Sequence, residues 1–362
     1  MKHKLISVAL IAILLFMVLG NSVGCTPTTN YTLTMSSTAG GSVTPAVGAH
    51  NYSAGTVVNL TATADSGYRF VNWTGGGADI GNATAATTTI TMNADHTVSA
   101  NFALGVLIAN VPDTNQPPTN TIPTPNRTNF CAPIAMANIL EYWDDVANHA
   151  NAQNVTAGLI PETVAEYLGW FMDTNNAGSP DRTNAGFPGT KDVDIVPGTL
   201  EFVRWDAAHN PPGITAPPFA LPAGKLGYNW SVLTSCDTNY TITLNLYKNE
   251  INNGRPLVVS FDYWNPVFGT NVTDPQSGQT ISVFGWGTPT SSSHTPNPEE
   301  SWFTSDIGHA VTGVGYILNW DPDGVGGLPQ TDYVIVHDNW ATTPENVAVP
   351  WANWMCLFPV SP

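Results

Sequence analysis

Between residues 31 and 103, apolar and polar positions alternate with the two-residue period of β-strands. Val58, Leu60 and Ala62 share one face of such a strand, and glycine-rich steps separate the runs as turns. No helical period is evident in this part of the chain. The pattern predicts a small β-rich domain over residues 31–103.

At Cys131 the period changes to that of a helix with an apolar face. Ala135 and Ile139 fall on one side, and Pro133 fits in the first turn, where a missing N–H costs nothing. Asn129 is the predicted cap. Cys131 then lies at the positive end of the helix dipole, which favours a thiolate, the form of cysteine that attacks carbonyl groups.

Helical and extended segments are unevenly distributed over the rest of the chain. Three further helices are predicted, and three strands follow the last helix. The helices cover residues 161–168, 197–205 and 243–252, and the strands cover residues 256–263, 308–316 and 332–340. Helices first and sheet second is typical of the α+β class.

Two side chains on the predicted strands suit the chemistry of a nucleophilic cysteine. His309 lies near the start of one strand and Asp338 near the end of the next. Adjacent antiparallel strands would bring the two side chains together. A base must take the thiol proton and a carboxylate must orient the imidazole, so Cys131, His309 and Asp338 are the predicted catalytic residues.

Composition and charge restrict the function classes. Only 10 residues are Lys or Arg against 27 Asp or Glu, which gives a formal net charge of -17. Such an acidic chain has no basic surface for nucleic acid or for an anionic membrane. Charged residues make up only 10% of the chain, which is typical of an exported, β-rich protein.

The first residues have the layout of a secretory signal. A short basic start precedes an unbroken apolar run over residues 5–19, and small residues follow. The sequence Val23-Gly24-Cys25 resembles the end of a bacterial lipoprotein signal. We therefore predict a signal peptide at 1–24, lipidation of Cys25 and a tether over 25–30. Plain secretion after nearby cleavage is the alternative. The expected membrane contact is through the lipid only.

The remaining cysteines and acids suggest a disulfide and exclude a zinc motif. With Cys25 lipidated and Cys131 free, Cys236 and Cys356 remain as a possible disulfide. No CxxC or HExxH occurs, so a zinc site has no support, and the predicted Cys-His-Asp chemistry needs no metal or organic cofactor. Calcium at Asp321 and Asp323 is an open alternative to a plain Asp/Gly turn.

The β-rich domain resembles a known repeat. The motifs at 41–45, 67–73 and 97–102 closely resemble divergent internalin-type B-repeats of bacterial surface proteins. That resemblance implies a spacer or adhesion module without catalysis, with contact to the cell surface or cell wall.

The predicted domain over residues 104–362 resembles a papain-like cysteine peptidase, closest to the bacteriocin-processing branch, over most of residues 107–358. The resemblance is carried by motifs 129–133 around the cysteine, 308–311 around the histidine and 338–340 at the orienting position. It implies a papain-like α+β domain and a peptide or protein substrate. It also implies an amide that stabilises the oxyanion, for which Gln116 is the matching residue and Asn126 and Asn129 are substitutes.

Three other interpretations stay open at this stage. A transglutaminase-like acyl transferase uses the same order of Cys, His and Asp, and passes the acyl group to an amine. A cell-surface adhesin with an inactive site would retain the fold. The last alternative is a redox or structural role for Cys131.

Overall fold

The computed structural model describes fourteen stretches of the chain. Our predictions for the signal peptide, Cys25, Gln116, Asn126 and Cys236 fall outside them. The described residues are 29–65, 67–115, 129–176, 178–182, 189–206, 212–221, 223–234, 240–261, 264–274, 278–287, 308–323, 327–341, 343–351 and 355–362.

The N-terminal region is built from seven strands, as the alternating pattern predicts. They are β1 (Asn30–Ser37), β2 (Gly41–Thr44), β3 (Gly48–Ser53), β4 (Val57–Ala64), β5 (Tyr68–Gly75), β6 (Thr87–Thr91) and β7 (His96–Leu107). Strands β2, β4 and β6 form one sheet, while β3, β1, β7 and β5 belong to a second. Leu33, Leu60 and Ile90 are fully buried in the core of this region.

Four α-helices follow in the part of the chain that the structure describes. They are α1 (Cys131–Glu141), α2 (Pro161–Phe171), α3 (Asp192–Arg204) and α4 (Tyr240–Asn252). Every residue of α1 from Ala132 to Leu140 is buried. A helix that is apolar all round belongs in the interior, so α1 is a central core helix rather than the one-sided helix that we expected.

The start of α3 differs from the sequence prediction. We expected a helix from Pro197, whereas α3 begins at Asp192 and contains Pro197 in its interior. Asp192 and Asp194 occupy the first turn, where a negative charge stabilises the positive end of the helix dipole. The acidic first turn therefore indicates the start better than the proline does.

Among the residues that the structure describes, eight further strands follow, and with the helices they form a mixed helix and sheet region. They are β8 (Ser231–Val232), β9 (Leu257–Phe261), β10 (Pro266–Thr273), β11 (Thr280–Trp286), β12 (His309–Trp320), β13 (Thr331–His337), β14 (Asn346–Pro350) and β15 (Met355–Ser361). The main sheet has the order β10-β11-β14-β13-β12-β7-β1-β3, and β9 pairs with both β12 and β15. The predicted strands at 256–263, 308–316 and 332–340 correspond to β9, β12 and β13.

Strand β12 joins the two regions of the chain. Its first part, His309–Gly313, pairs with β9, and Gly315–Ile317 pairs with Gly105–Leu107 at the end of β7. Strand β7 therefore begins in the N-terminal sheet and ends beside the strand that carries His309. The boundary that we placed after residue 103 falls inside β7, because one strand serves both regions.

A buried ion pair also connects the two regions. Arg69 on β5 pairs with Asp274 after β10, and both side chains are almost fully buried. Main-chain hydrogen bonds between β7 and β12 and apolar packing of Val71 and Val106 against the sheet core add to this contact. A free spacer would share neither a sheet nor a buried ion pair with its neighbour.

Candidate active site

Cys131 is the first residue of α1, as the sequence predicts, but its cap differs. The cap position belongs to Phe130, which is buried and makes no side-chain capping bond. Asn129 is exposed and has a left-handed backbone, with φ of 61°. Asn129 therefore forms the turn that leads into the helix and does not cap it. Among the described contacts, none joins the Asn129 amide to the Cys131 thiol.

The Cys131 thiol is free and packs against the start of β12. Burial raises its pKa, while the backbone N–H groups of Ala310 and Ala132 donate to the sulfur and act in the opposite direction. The negative charge of Asp192 also raises the pKa. We expected the helix dipole to favour a thiolate; in the folded protein, desolvation outweighs it.

His309 is the first residue of β12 and is buried. Its Nε2 lies 2.8 Å from the main-chain carbonyl oxygen of Asp338. Because a carbonyl only accepts, Nε2 must carry the proton, so Nδ1 of the neutral ring has a free lone pair. Among the described side chains, no hydrogen bond joins His309 to Cys131. Burial lowers the pKa of His309 to about 4.

Two indole rings enclose this imidazole. The Trp264 ring lies 5.0 Å from the His309 ring, and the Trp340 ring lies 5.7 Å away with its edge towards it. Trp340 is 46% exposed, so it covers the site from the solvent side. The rings limit the orientation of the imidazole and explain part of its desolvation.

Asp338 lies next to His309, but its carboxylate does not contact the ring. Oδ1 instead accepts hydrogen bonds from Thr343 Oγ1 at 2.6 Å and from the Trp340 N–H at 3.2 Å. Our prediction that the carboxylate orients the imidazole is therefore corrected: the main-chain carbonyl does so. The physical reason is that β13 ends at His337, so Asp338 lies beyond the ladder that would direct its side chain.

A buried amide network holds α1 against these strand ends. Asn138 on α1 donates to Asn339 Oδ1 at 3.2 Å and to Thr312 Oγ1 at 3.3 Å. Asn339 in turn donates to the Ala310 carbonyl at 3.3 Å. These bonds connect the cysteine helix, the histidine strand and the turn after Asp338. Buried networks of this kind fix one arrangement of the elements that they join.

The segment before the predicted oxyanion residue is also attached to the site. His337 Nδ1 lies 3.0 Å from the Pro112 carbonyl oxygen. Burial, together with the charges of Asp338 and Glu345, raises the pKa of Asp113 to about 7. Gln116 itself lies outside the described residues, so its role as an oxyanion donor stays a prediction.

Neither the disulfide nor calcium is part of the described site. Cys356 is disulfide-bonded, and its partner lies outside the residues that the structure describes; Cys236 stays the predicted partner. Asp323 accepts a hydrogen bond from the Leu328 N–H at 2.8 Å, as in an Asp/Gly turn. Within the described ranges, no three His, Cys, Asp or Glu side chains are grouped to hold a metal ion.

Sequence reasoning missed two residues of this site. Asp192 and Asn138 both lie close to the Cys131–His309 pair, yet neither belongs to a motif. A polar residue in an otherwise apolar helix was the available signal for Asn138. Two acids two positions apart, Asp192 and Asp194, mark the first turn of α3 and were the signal for Asp192.

Comparison with known proteins identifies the N-terminal region. Residues 31–105 match the divergent InlB B-repeat domain. The match confirms the predicted repeat domain and ends within β7. A comparison with curated proteins returned no match. None of the helices among the described residues has the length and apolar character needed to cross a membrane.

Proposed function

We propose that the chain is an exported cysteine peptidase that hydrolyses peptide or amide bonds through Cys131 and His309, in a domain of the papain-like α+β class. One observation carries the proposal. Helix α1, which begins at Cys131, packs against the first residues of β12, where the main chain of Ala310 lowers the pKa of the thiol. On the same strand, Nε2 of His309 donates to the Asp338 carbonyl, so Nδ1 is unprotonated. A nucleophile and an oriented base thus lie on neighbouring elements.

The proposed reaction follows from the proton positions. Sγ of Cys131 attacks the substrate carbonyl carbon while its proton passes to Nδ1 of His309. The imidazolium then gives this proton to the leaving amine, and the C–N bond breaks to leave a thioester on Cys131. Water attacks the thioester with the help of Nδ1, which releases the carboxylic acid and restores the thiol. The proton on Nε2 stays there throughout, donated in a hydrogen bond to the carbonyl of Asp338.

The oxyanion is expected to bind at the start of α1. The N–H groups of Cys131 and Ala132 lie in the first turn, where they have no partner within the helix. Both lower the pKa of the thiol, so both point towards the reacting sulfur. Gln116 is the proposed side-chain donor that completes this site.

Burial favours the neutral forms of Cys131 and His309 in the protein without substrate. It raises the pKa of Cys131 and lowers that of His309, so neither ion is favoured in the free protein. Proton transfer then accompanies attack on the carbonyl instead of preceding it. The N–H groups around the sulfur stabilise negative charge as it develops there.

The test is acylation of Cys131 by peptide substrates. The full chain is incubated with a diverse peptide mixture, and products and adducts are identified by mass spectrometry. We expect cleavage with a thioester on Cys131, abolished by Cys131→Ala and strongly reduced by His309→Ala. His50→Ala, which removes a half-buried histidine of the repeat domain, should cleave like the wild type. Equal cleavage by Cys131→Ala, or no acylation of the folded protein, would overturn the proposal.

An added amine distinguishes hydrolysis from acyl transfer. A transglutaminase-like enzyme would pass the acyl group from Cys131 to the amine and form a new amide. We expect the free acid to dominate with and without a primary amine. A product that is mainly the amide would favour the transferase.

Export and surface attachment complete the proposal. The signal over residues 1–24 and lipidation of Cys25 are expectations from the sequence, and the B-repeat domain offers contact with the cell surface or cell wall. Metabolic labelling with a fatty-acid analogue tests the anchor: Cys25→Ser should lose the label. Retention of the label by this variant would exclude Cys25 as the attachment site.

A further inference from the structure

A second carboxylate lies beside the reacting sulfur and is not used in the proposed reaction. Asp192, the first residue of α3, accepts a hydrogen bond from Ser260 Oγ at 2.9 Å. Ser260 is opposite Ala310 in the β9–β12 ladder, and the N–H of Ala310 donates to the Cys131 sulfur. The ladder therefore fixes the Asp192 carboxylate next to the nucleophile.

This carboxylate opposes catalysis unless its charge is balanced. A negative charge beside a developing thiolate disfavours it. Asp194, two residues along the same helix, lies 3.7 Å from the Arg182 guanidinium. No described Lys or Arg forms such an ion pair with Asp192. A carboxylate that is held in place beside a nucleophile without a cation is suited to receive one from a ligand.

Asp192 and Cys131 are both partly exposed. Only one carboxylate oxygen of Asp192 is used by Ser260, and no described residue donates to the other. A substrate whose carbonyl lies at Sγ would bring its neighbouring groups to this oxygen.

Resting on the proposed peptidase function, we infer that Asp192 binds a cationic group of the substrate next to the scissile bond. The ligand chemistry is an ammonium or guanidinium ion, supplied by a Lys or Arg side chain or by a free α-amino group. Binding contributes affinity through a charge-assisted hydrogen bond. It also removes the repulsion between Asp192 and the sulfur, so a cationic substrate promotes its own attack.

The first experiment compares matched peptides. Peptides that carry Lys, norleucine or Glu at each position around a cleaved bond, with free or acetylated N-termini, are assayed for kcat/KM. We expect Lys, or a free amino group, to exceed its neutral counterpart by on the order of tenfold or more. Asp192→Asn keeps an acceptor for Ser260 and should abolish the preference. Comparison of Lys with norleucine tests a side-chain cation, and comparison of free with acetylated N-termini tests the α-amino group.

Two further variants separate charge from position. Ser260→Ala keeps the carboxylate but releases it, so the preference should be reduced rather than lost. Glu162→Gln removes a negative charge from the first turn of α2 and should leave the preference unchanged. A preference that is equal in the wild type and Asp192→Asn, or that falls as much in Glu162→Gln, would overturn the inference.

A second experiment does not depend on peptide cleavage. Cys131 of the folded protein is modified with 2-aminoethyl and 2-sulfonatoethyl methanethiosulfonate, a cationic and an anionic thiol reagent of similar size. The ratio of their rates should exceed that in Asp192→Asn by on the order of tenfold. If no peptide is cleaved but the ratio depends on Asp192, the cation site stands and the peptidase proposal fails. If peptides are cleaved without any dependence on Asp192, the cation site fails alone.

Discussion

Replacement of Asp338 by Asn tests which group orients His309. In the triad predicted from the sequence, the carboxylate holds the imidazole directly. In the structure the main-chain carbonyl of Asp338 does so, and the carboxylate only anchors the turn through Thr343 and the Trp340 N–H. The substitution removes the negative charge but leaves the main-chain carbonyl and an acceptor oxygen in place.

The two arrangements predict effects of very different size. A neutral acceptor gives about 0.5–1.5 kcal/mol per hydrogen bond, against about 1.5–3 kcal/mol for a charged one. Loss of the charge at Asp338 should therefore weaken the anchored turn by about 1–2 kcal/mol. If the whole 1–2 kcal/mol raised the activation free energy through misplacement of His309, kcat/KM would fall roughly 5- to 30-fold. A carboxylate acting directly on the imidazole is worth about 10⁴-fold in hydrolases with a triad.

The assay is kcat/KM for a cleaved peptide, with the melting temperature measured in parallel. Thr343→Val is the matched control, because it removes the 2.6 Å bond to the same carboxylate without touching its charge. We expect Asp338→Asn and Thr343→Val to lose activity to a similar, small extent. A loss above about 10³-fold in Asp338→Asn, at an unchanged melting temperature, would refute the carbonyl arrangement.

Three further predictions concern pH and the connection between the two regions. Burial raises the pKa of Cys131, so its alkylation by iodoacetamide should reach half its maximal rate above the ordinary value of about 8.5; a midpoint below pH 8 would contradict this. The pKa of Asp113 is raised to about 7, so its contribution to stability is present at low pH and lost as pH rises through 7. Asp113→Asn should thus increase the melting temperature at pH 8 and leave it unchanged near pH 4; equal shifts at both would exclude a charge effect. Arg69→Met should lower the free energy of unfolding by about 3–5 kcal/mol by removing the ion-pair partner of buried Asp274, and Arg69→Met with Asp274→Leu should recover much of it in chemical denaturation. No recovery in the double variant would assign the loss to packing.

The sequence was informative where periodicity and local chemistry decide the structure. The start of α1 at Cys131, the strand with His309 near its start and the antiparallel pairing of β12 with β13 were all predicted. Each depends on residues close together in the chain or on a simple alternation of faces. The B-repeat domain was recognised for the same reason.

The orienting group could not be predicted, because strand alternation stops where the strand stops. β13 ends one residue before Asp338, and Asn339 then has a left-handed backbone with φ of 62°. This turn directs the Asp338 carbonyl, rather than its side chain, towards His309. A one-residue uncertainty in the end of a strand thus changes the chemical group that faces the site.

The state of the thiol depends on tertiary structure as well. The dipole at the start of α1 can be read from the sequence, but the desolvation of Cys131 comes from residues far away in the chain. Asp192 affects the thiol only because α3 packs over the Ser260 position of β9. Charges of this kind become visible only when the packing is known.

The pairing of β7 with β12 has a consequence for the order of folding. Gly105 and its partner Ile317 are separated by roughly 200 residues, a span that makes strand pairing slow. Until β12 arrives, the end of β7 has an unpaired edge, even when the repeat domain around its other end has formed. The strand that bears His309 is therefore the one that closes the sheet, so the proposed site forms only when the chain is almost completely folded.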